Sequence, residues 1–211
     1  MGHLRLLAVS LVAAVTAMQC GGVGPTEPTT KPGVIVAFGD SLTSGPGLKP
    51  SETYPALLEK RLRQEGYNYR VINAGVTGDT SSEAVARLDS AIAPDAKVLI
   101  VALGINDGLR GMPTQTLEQN LSTIIERAQR QGMAVVLCGM ESPPVRGFSY
   151  SIEFHRVFTR VADRYHVPLV PFFLLSIVAN PDLNLPDGVH PNAEGHKRIA
   201  EAIWPYLEAV I

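Results

Sequence analysis

The sequence predicts an α/β domain built on a parallel sheet with helices packed on both faces. Uninterrupted apolar runs rich in β-branched residues recur along the chain, as expected of strands buried on both sides. Stretches with apolar residues at helical spacing separate them, and most runs stop at a glycine. Five such strand-helix units in series imply right-handed crossovers and hence parallel strands. With 211 residues, 45% of them apolar and 18% charged, the chain suffices for one well-buried domain and is short for two.

Val34 to Phe38 is the first strand, five apolar residues running into Gly39-Asp40-Ser41-Leu42. A Gly/Pro loop follows at 45–50. A helix is expected over Thr53 to Glu65, where Leu57, Leu58 and Leu62 share a face and Gly66 lies beyond the end. The second strand is Tyr69 to Ala74, closed by Gly75, with a helix at about Ser81 to Ala91. The third strand is Lys97 to Leu103 and ends in the turn Gly104-Ile105-Asn106-Asp107. A long amphipathic helix over Thr116 to Gln131 leads to a fourth strand at Ala134 to Gly139. A helix at Tyr150 to Tyr165 precedes a short fifth strand, Pro168 to Pro171. The last helix is expected from about Pro191, a residue favoured at the first helical position, to Tyr206. No internal repeat interrupts this order.

The formal net charge is −2 and no Lys/Arg run occurs, so nucleic acid is not an expected partner. Cys20 and Cys138 make no disulfide framework, and Cys138 lies in an apolar run typical of an inert core thiol. No Cys/His group has zinc-ligand spacing. His190, Glu194 and His196 invite a metal reading, but the two histidines are expected on different sides of a helix. His155 and His166 read as surface or packing residues. Nucleotide-binding and Gly-x-Ser-x-Gly signatures are absent from the sequence.

At the N-terminus, His3 and Arg5 precede the apolar run Leu6 to Ala17, too short to span a bilayer and suited to an export signal over residues 1–19. Two processing routes stay open. Val15-Thr16-Ala17 suits ordinary signal cleavage, whereas Cys20-Gly21-Gly22 resembles a lipoprotein start and would attach the protein to a membrane through a lipidated Cys20. Residues 20–33 read as a flexible tether, and the domain runs over 34–211.

With the strands so assigned, Ser41, Gly75, Asn106 and the pair Asp187 and His190 all fall on the carboxyl rim of the sheet, where α/β folds place ligands. Singly, each has a plain structural explanation: Asp40 and Ser41 as helix caps, Asn106 as a turn former, His190 as a helix-start residue. Together they supply the parts of acyl transfer. Ser41 would attack, His190 would take its proton, and Asp187 would orient the ring. Backbone N–H groups of Ser41 and Gly75 and the Asn106 amide would hold the oxyanion. Glycine at 75 would keep a Cβ out of the substrate's way.

Gly39-Asp40-Ser41-Leu42, Gly75, Gly104-x-Asn106-Asp107 and Asp187-Gly188-Val189-His190-Pro191 resemble the ordered blocks of the SGNH/GDSL hydrolases. Residues Asn73 to Thr80 and Gly108 to Gly111 are similar to the exported bacterial thioesterase, lysophospholipase and arylesterase branch. The resemblance covers roughly Val34 to Trp204. It implies a three-layer, flavodoxin-like sandwich with five parallel strands, and a serine esterase that uses no metal or cofactor. Its catalytic set maps onto Ser41, Gly75, Asn106, Asp187 and His190.

The expected function is therefore that of an exported esterase, expected to act as a monomer on acyl esters or thioesters. A carbohydrate acetylesterase is the main alternative, and a non-catalytic lipid- or glycan-binding surface domain a more distant one. The loops at 109–113 and 140–150 should border the groove and carry Leu109, Met140 and Phe148 as acyl-contacting residues. Short-to-medium acyl chains should then be preferred over acetate.

Overall fold

The computed structural model describes residues 31–211, apart from Ser176 and Ala179. The export-signal reading, the fate of Cys20 and most of the tether lie outside the described residues. Five parallel strands form one sheet: β1 (Gly33–Gly39), β2 (Tyr69–Gly75), β3 (Ala96–Ala102), β4 (Ala134–Cys138) and β5 (Leu169–Val170), in the order β2-β1-β3-β4-β5. Helices cover both faces, giving the three-layer sandwich with flavodoxin-like strand order. The direction of winding reverses between β1 and β3, so the crevice beyond their carboxyl ends is the topological switch point.

Burial explains which residues form the strands. Val34 to Phe38 are fully buried between β2 and β3, and the central run Leu99 to Leu103 is equally inaccessible. On the β2 edge the exposed side is blunted by α2 (Tyr54–Gln64), whose Glu59 accepts a hydrogen bond from the Val71 N–H at 2.7 Å. The opposite edge, β5, is only two residues long. Pro168 and Pro171 bracket it and have no N–H to extend a ladder, so the four-residue strand expected there is halved.

Most helix limits fall within two residues of expectation. α3 (Ser81–Ala91) starts on a capping box in which Thr80 and Glu83 exchange hydrogen bonds. α5 (Thr114–Arg130) and α6 (Phe148–Tyr165) each begin two residues early, after Pro113 and Gly147. α7 (Ala193–Glu208) starts after Pro191, because the Asn192 side chain accepts from the Glu194 and Gly195 N–H groups and so takes the capping position.

Two short helices escaped the periodicity argument. α1 (Ser41–Ser44) and α4 (Ile105–Arg110) are too short to show an apolar stripe, and they begin directly after the strands that deliver Ser41 and Asn106. Gly104 at the head of α4 has φ of 121°, a conformation that strongly favours glycine.

Candidate active site

β1 ends at Gly39 and the chain turns at once into α1. The Asp40 carboxylate caps this turn, its Oδ1 accepting the Leu42 N–H at 3.0 Å, while the Asp40 carbonyl accepts from Thr43 and Ser44. The capping role considered for Asp40 is thus real, and it leaves Ser41 at the first helical position facing the crevice. The Ser41 N–H is among the first-turn donors that an α-helix cannot pair internally.

Beneath α1, Tyr54 Oη shares a 3.0 Å hydrogen bond with Thr43 Oγ1. The Tyr54 N–H donates to His196 Nδ1 at 3.0 Å. Burial lowers the His196 pKa to about 4, which keeps the ring neutral and able to accept that bond. His196 is therefore a packing residue on α7. His190 lies before that helix, not on it, and among the described residues no group of three or more His, Cys, Asp or Glu is placed to hold a metal. Cys138 is likewise buried in the core, where loss of hydration pushes its thiol pKa up.

Asp187 and His190 sit in one tight turn before α7. The Leu185 N–H donates to the His190 carbonyl at 2.7 Å, and Asn184 bridges to Pro191. Asp187 Oδ1 accepts the Val189 and His190 N–H groups at 2.9 and 3.0 Å, while Oδ2 lies 2.8 Å from His190 Nδ1. The His190 N–H, then its ring, then the Val189 N–H lower the Asp187 pKa to about 2. An ionised acceptor at Nδ1 places the ring proton there and leaves Nε2 basic.

Asn106 projects from the first turn of α4. Its Nδ2 donates to the Asp79 carbonyl at 2.9 Å and makes a longer, 3.4 Å contact with Asp40 Oδ2. Ser41, Asn106 and His190 line one cleft of about 430 Å³. Its apolar wall includes Leu42, Ile105, Leu109, Leu174, Ile177 and Val178. A second hollow of about 670 Å³ shares Ile105, Leu174 and Val178 with it and continues to Pro143, Pro144, Phe148 and Phe172.

Two expected site residues are placed differently. Met140 is buried in the hydrophobic core and lines neither hollow, because the chain leaves β4 still inside the sandwich before reaching the surface near Pro143. Gly75 ends β2, and its N–H donates to Asn73 Oδ1 at 3.0 Å. Its lack of a side chain has another cause than substrate access. A Cβ there would lie 2.3 Å from Ser44 N and 2.8 Å from the Asp40 carbonyl, so glycine is what lets α1 pack on the end of β2. Leu109 and Phe148 do border the two hollows.

Sequence reasoning overlooked three parts. Arg87 of α3 donates to the carbonyls of Gly39 and Ala74 and pairs with Asp79, tying the ends of β1 and β2 to the residue that holds Asn106. The available signal was its place beside the buried Ala84 and Leu88 of α3. The second is a set of apolar residues past β5: Leu174 and Val178 wall both hollows, Ile177 the cleft and Phe172 its continuation. Their signal was an apolar loop just past a strand's carboxyl end. The third is the titration of Asp40, read from the sequence only as a cap: its pKa is raised to about 7 chiefly by burial, with the neighbouring Asp79 and Asp107 charges adding to the effect.

A parallel sheet with helices on both faces, a serine at the end of β1, and an Asp-His pair on the same rim define the class of α/β serine hydrolase. The chain belongs to the GDSL-like Lipase/Acylhydrolase family, whose model matches residues 37–198. It is an SGNH-type hydrolase acting on esters. It is 40% identical over 178 residues to "Esterase TesA" of Pseudomonas aeruginosa, covering 84% of this chain and 89% of the relative. The "Thioesterase 1/protease 1/lysophospholipase L1" of Escherichia coli is 31% identical over 178 residues, covering 84% of each chain. The crystal structure of TesA superposes with a TM-score of 0.80 at 39% identity, over 84% of this chain and 99% of that one.

Proposed function

We propose that the protein is an exported esterase that transfers the acyl group of an ester or thioester to Ser41 and then to water. Ser41 Oγ attacks the carbonyl carbon while His190 Nε2 takes its proton, and the charge that forms on the ring is balanced by the ionised Asp187. The tetrahedral oxyanion is held by the Ser41 N–H and by the Asn106 N–H that lies on its weak contact with Asp40. Gly75 joins as a third donor when its N–H leaves Asn73 Oδ1. The C–O or C–S bond breaks as His190 protonates the leaving group. Water, deprotonated by the same ring, then attacks the acyl carbon, and the acyl–Oγ bond breaks as His190 passes that proton to Ser41 Oγ.

The observation that carries this reading is the single cleft lined by Ser41, Asn106 and His190 with an apolar wall running away from them. A sugar-deacetylating site would need polar groups to grip the carbohydrate, and the wall supplies few. Names of relatives that include esterase and thioesterase support both leaving-group types. Export is supported by the apolar run Leu6 to Ala17. Cys20→Ser releasing the protein from membranes would identify lipid anchoring, and a mature terminus at Met18 would identify ordinary cleavage.

Hydrolysis of p-nitrophenyl butyrate tests the assignment. Ser41→Ala should abolish turnover without changing the melting curve, since the hydroxyl carries chemistry and little packing. Turnover retained in that variant would overturn the nucleophile, and a fully folded wild type inert toward all acyl esters would favour a binding domain.

A further inference from the structure

The most exposed apolar side chains of the described residues are not scattered over the surface. Leu109, Val178 and Val189 line the cleft, and Phe148 lines the hollow that continues it. The others, Val76, Val145 and Leu175, each adjoin a lining residue: Thr77, Pro144 and Leu174. Of the seven large exposed hydrophobics among the described residues, four therefore line the two joined hollows and three are chain neighbours of their lining. Val145 and Leu175 are 86% and 79% exposed yet line neither hollow, so an acyl chain inside the groove would not cover them. Large apolar side chains left in water and gathered at and beside one mouth mark a surface that meets another apolar phase.

We infer that this mouth docks onto the surface of a phospholipid bilayer carrying anionic headgroups, an inference that rests on the acyl-ester reading of the cleft. The charges on the rim select that occupant. Arg110 and Arg146 stand among the apolar residues. Arg146 donates to the Leu109 carbonyl and makes no ion pair among the described residues, whereas Arg110 lies 3.6 Å from Glu83. The rim's acidic groups are engaged: Asp187 with His190, and Glu141 with His155. The chain is net negative, but of the two rim arginines Arg146 has no carboxylate partner among the described residues, so an anionic headgroup meets an unpaired guanidinium beside the apolar side chains. A second copy packing here about a two-fold axis would bring like arginines together, which disfavours that occupant. Docking would present an amphiphile's ester to Ser41 without the tail first crossing water.

The test uses the full chain with Cys20→Ser, so that no lipid anchor contributes, and with Val145→Cys to carry a polarity-sensitive thiol probe; Cys138 is buried and stays unlabelled. With vesicles of phosphatidylcholine and phosphatidylglycerol the probe should brighten several-fold and shift to the blue, and it should respond less to phosphatidylcholine alone. The same probe placed by Gln64→Cys, at the exposed end of α2, should not respond. Leu175→Ser should raise the lipid needed for half-maximal signal about tenfold, with p-nitrophenyl acetate turnover unchanged. No response at 145, an equal response at 64, or a response that follows protein concentration without lipid would overturn the inference, the last pointing to a second copy. Failure of the esterase reading is separate: Ser41→Ala should still dock, and docking without turnover of any ester would sink only that reading.

Discussion

Asn106 keeps one amide N–H on the Asp79 carbonyl and leaves the other on a 3.4 Å contact with Asp40, a division that suits a residue needed mainly when charge develops. Asn106→Ala should lower kcat by roughly 10²–10³ with little change in KM, the size typical of one lost oxyanion donor. Steady-state kinetics on a short ester would show it, and an unchanged kcat would remove Asn106 from the site. Asp40 makes a prediction about stability. Its carboxyl titrates near 3.8 unfolded and about 7 folded, so the folded protein holds that proton more tightly. Its contribution is present below about pH 4 and lost as pH rises through 7. His196 has the opposite sign: its folded pKa is depressed from 6.5 to about 4, and stability is lost as pH falls through that range. Comparison with Asp40→Asn cancels the histidine. Between pH 5 and 8 the wild type should lose roughly 2–3 kcal/mol more than the variant in urea unfolding. Equal losses would mean the carboxyl is not the source.

The junction of β1, α1 and β2 sets where Ser41 stands. Asp40 caps α1, Thr43 is tied to Tyr54, Asn73 Nδ2 donates to the Thr43 carbonyl at 2.8 Å, and Arg87 clamps the two strand ends. Gly75→Ala would force a methyl against the backbone of Ser44 and Asp40, which cannot yield as a flexible side chain would. A destabilisation of about 1–3 kcal/mol is expected from such overpacking. Activity should fall further than the melting curve implies, because the element that shifts is the one carrying Ser41. A variant with wild-type turnover per folded molecule would show that α1 tolerates displacement.

For the molecule as a whole, the two hollows that share Ile105, Leu174 and Val178 form one apolar path leading away from Ser41. Each methylene buried along it contributes up to about 0.8 kcal/mol, or about fourfold in kcat/KM, so rates should climb over several carbons beyond acetate before levelling. Phe148→Ala should flatten that climb. Met140→Ala should leave it intact and instead cost about 2–5 kcal/mol of stability, the range for truncating a buried core side chain. Acetate esters as the best substrates, with no effect of Phe148→Ala, would favour the carbohydrate acetylesterase reading.

Strand identity, strand order of appearance and the rim positions of Ser41, Asn106, Asp187 and His190 were legible in the sequence, because buried parallel strands must be continuous apolar runs and their carboxyl ends must share an edge. The Asp187–His190 contact was legible too, since three residues in one turn keep it local. What the linear order could not express are relations fixed by packing between distant segments. Met140 follows a strand just as a loop residue would, yet only the sandwich's thickness decides that it stays inside. Gly75 reads as open space for a substrate, and only the approach of α1 shows that backbone fills it. Arg87 reads as a helix surface charge until Gly39, Ala74 and Asp79 converge on it. Periodicity reports which face a residue takes within its own element, whereas the partner that meets that face is decided by the tertiary structure.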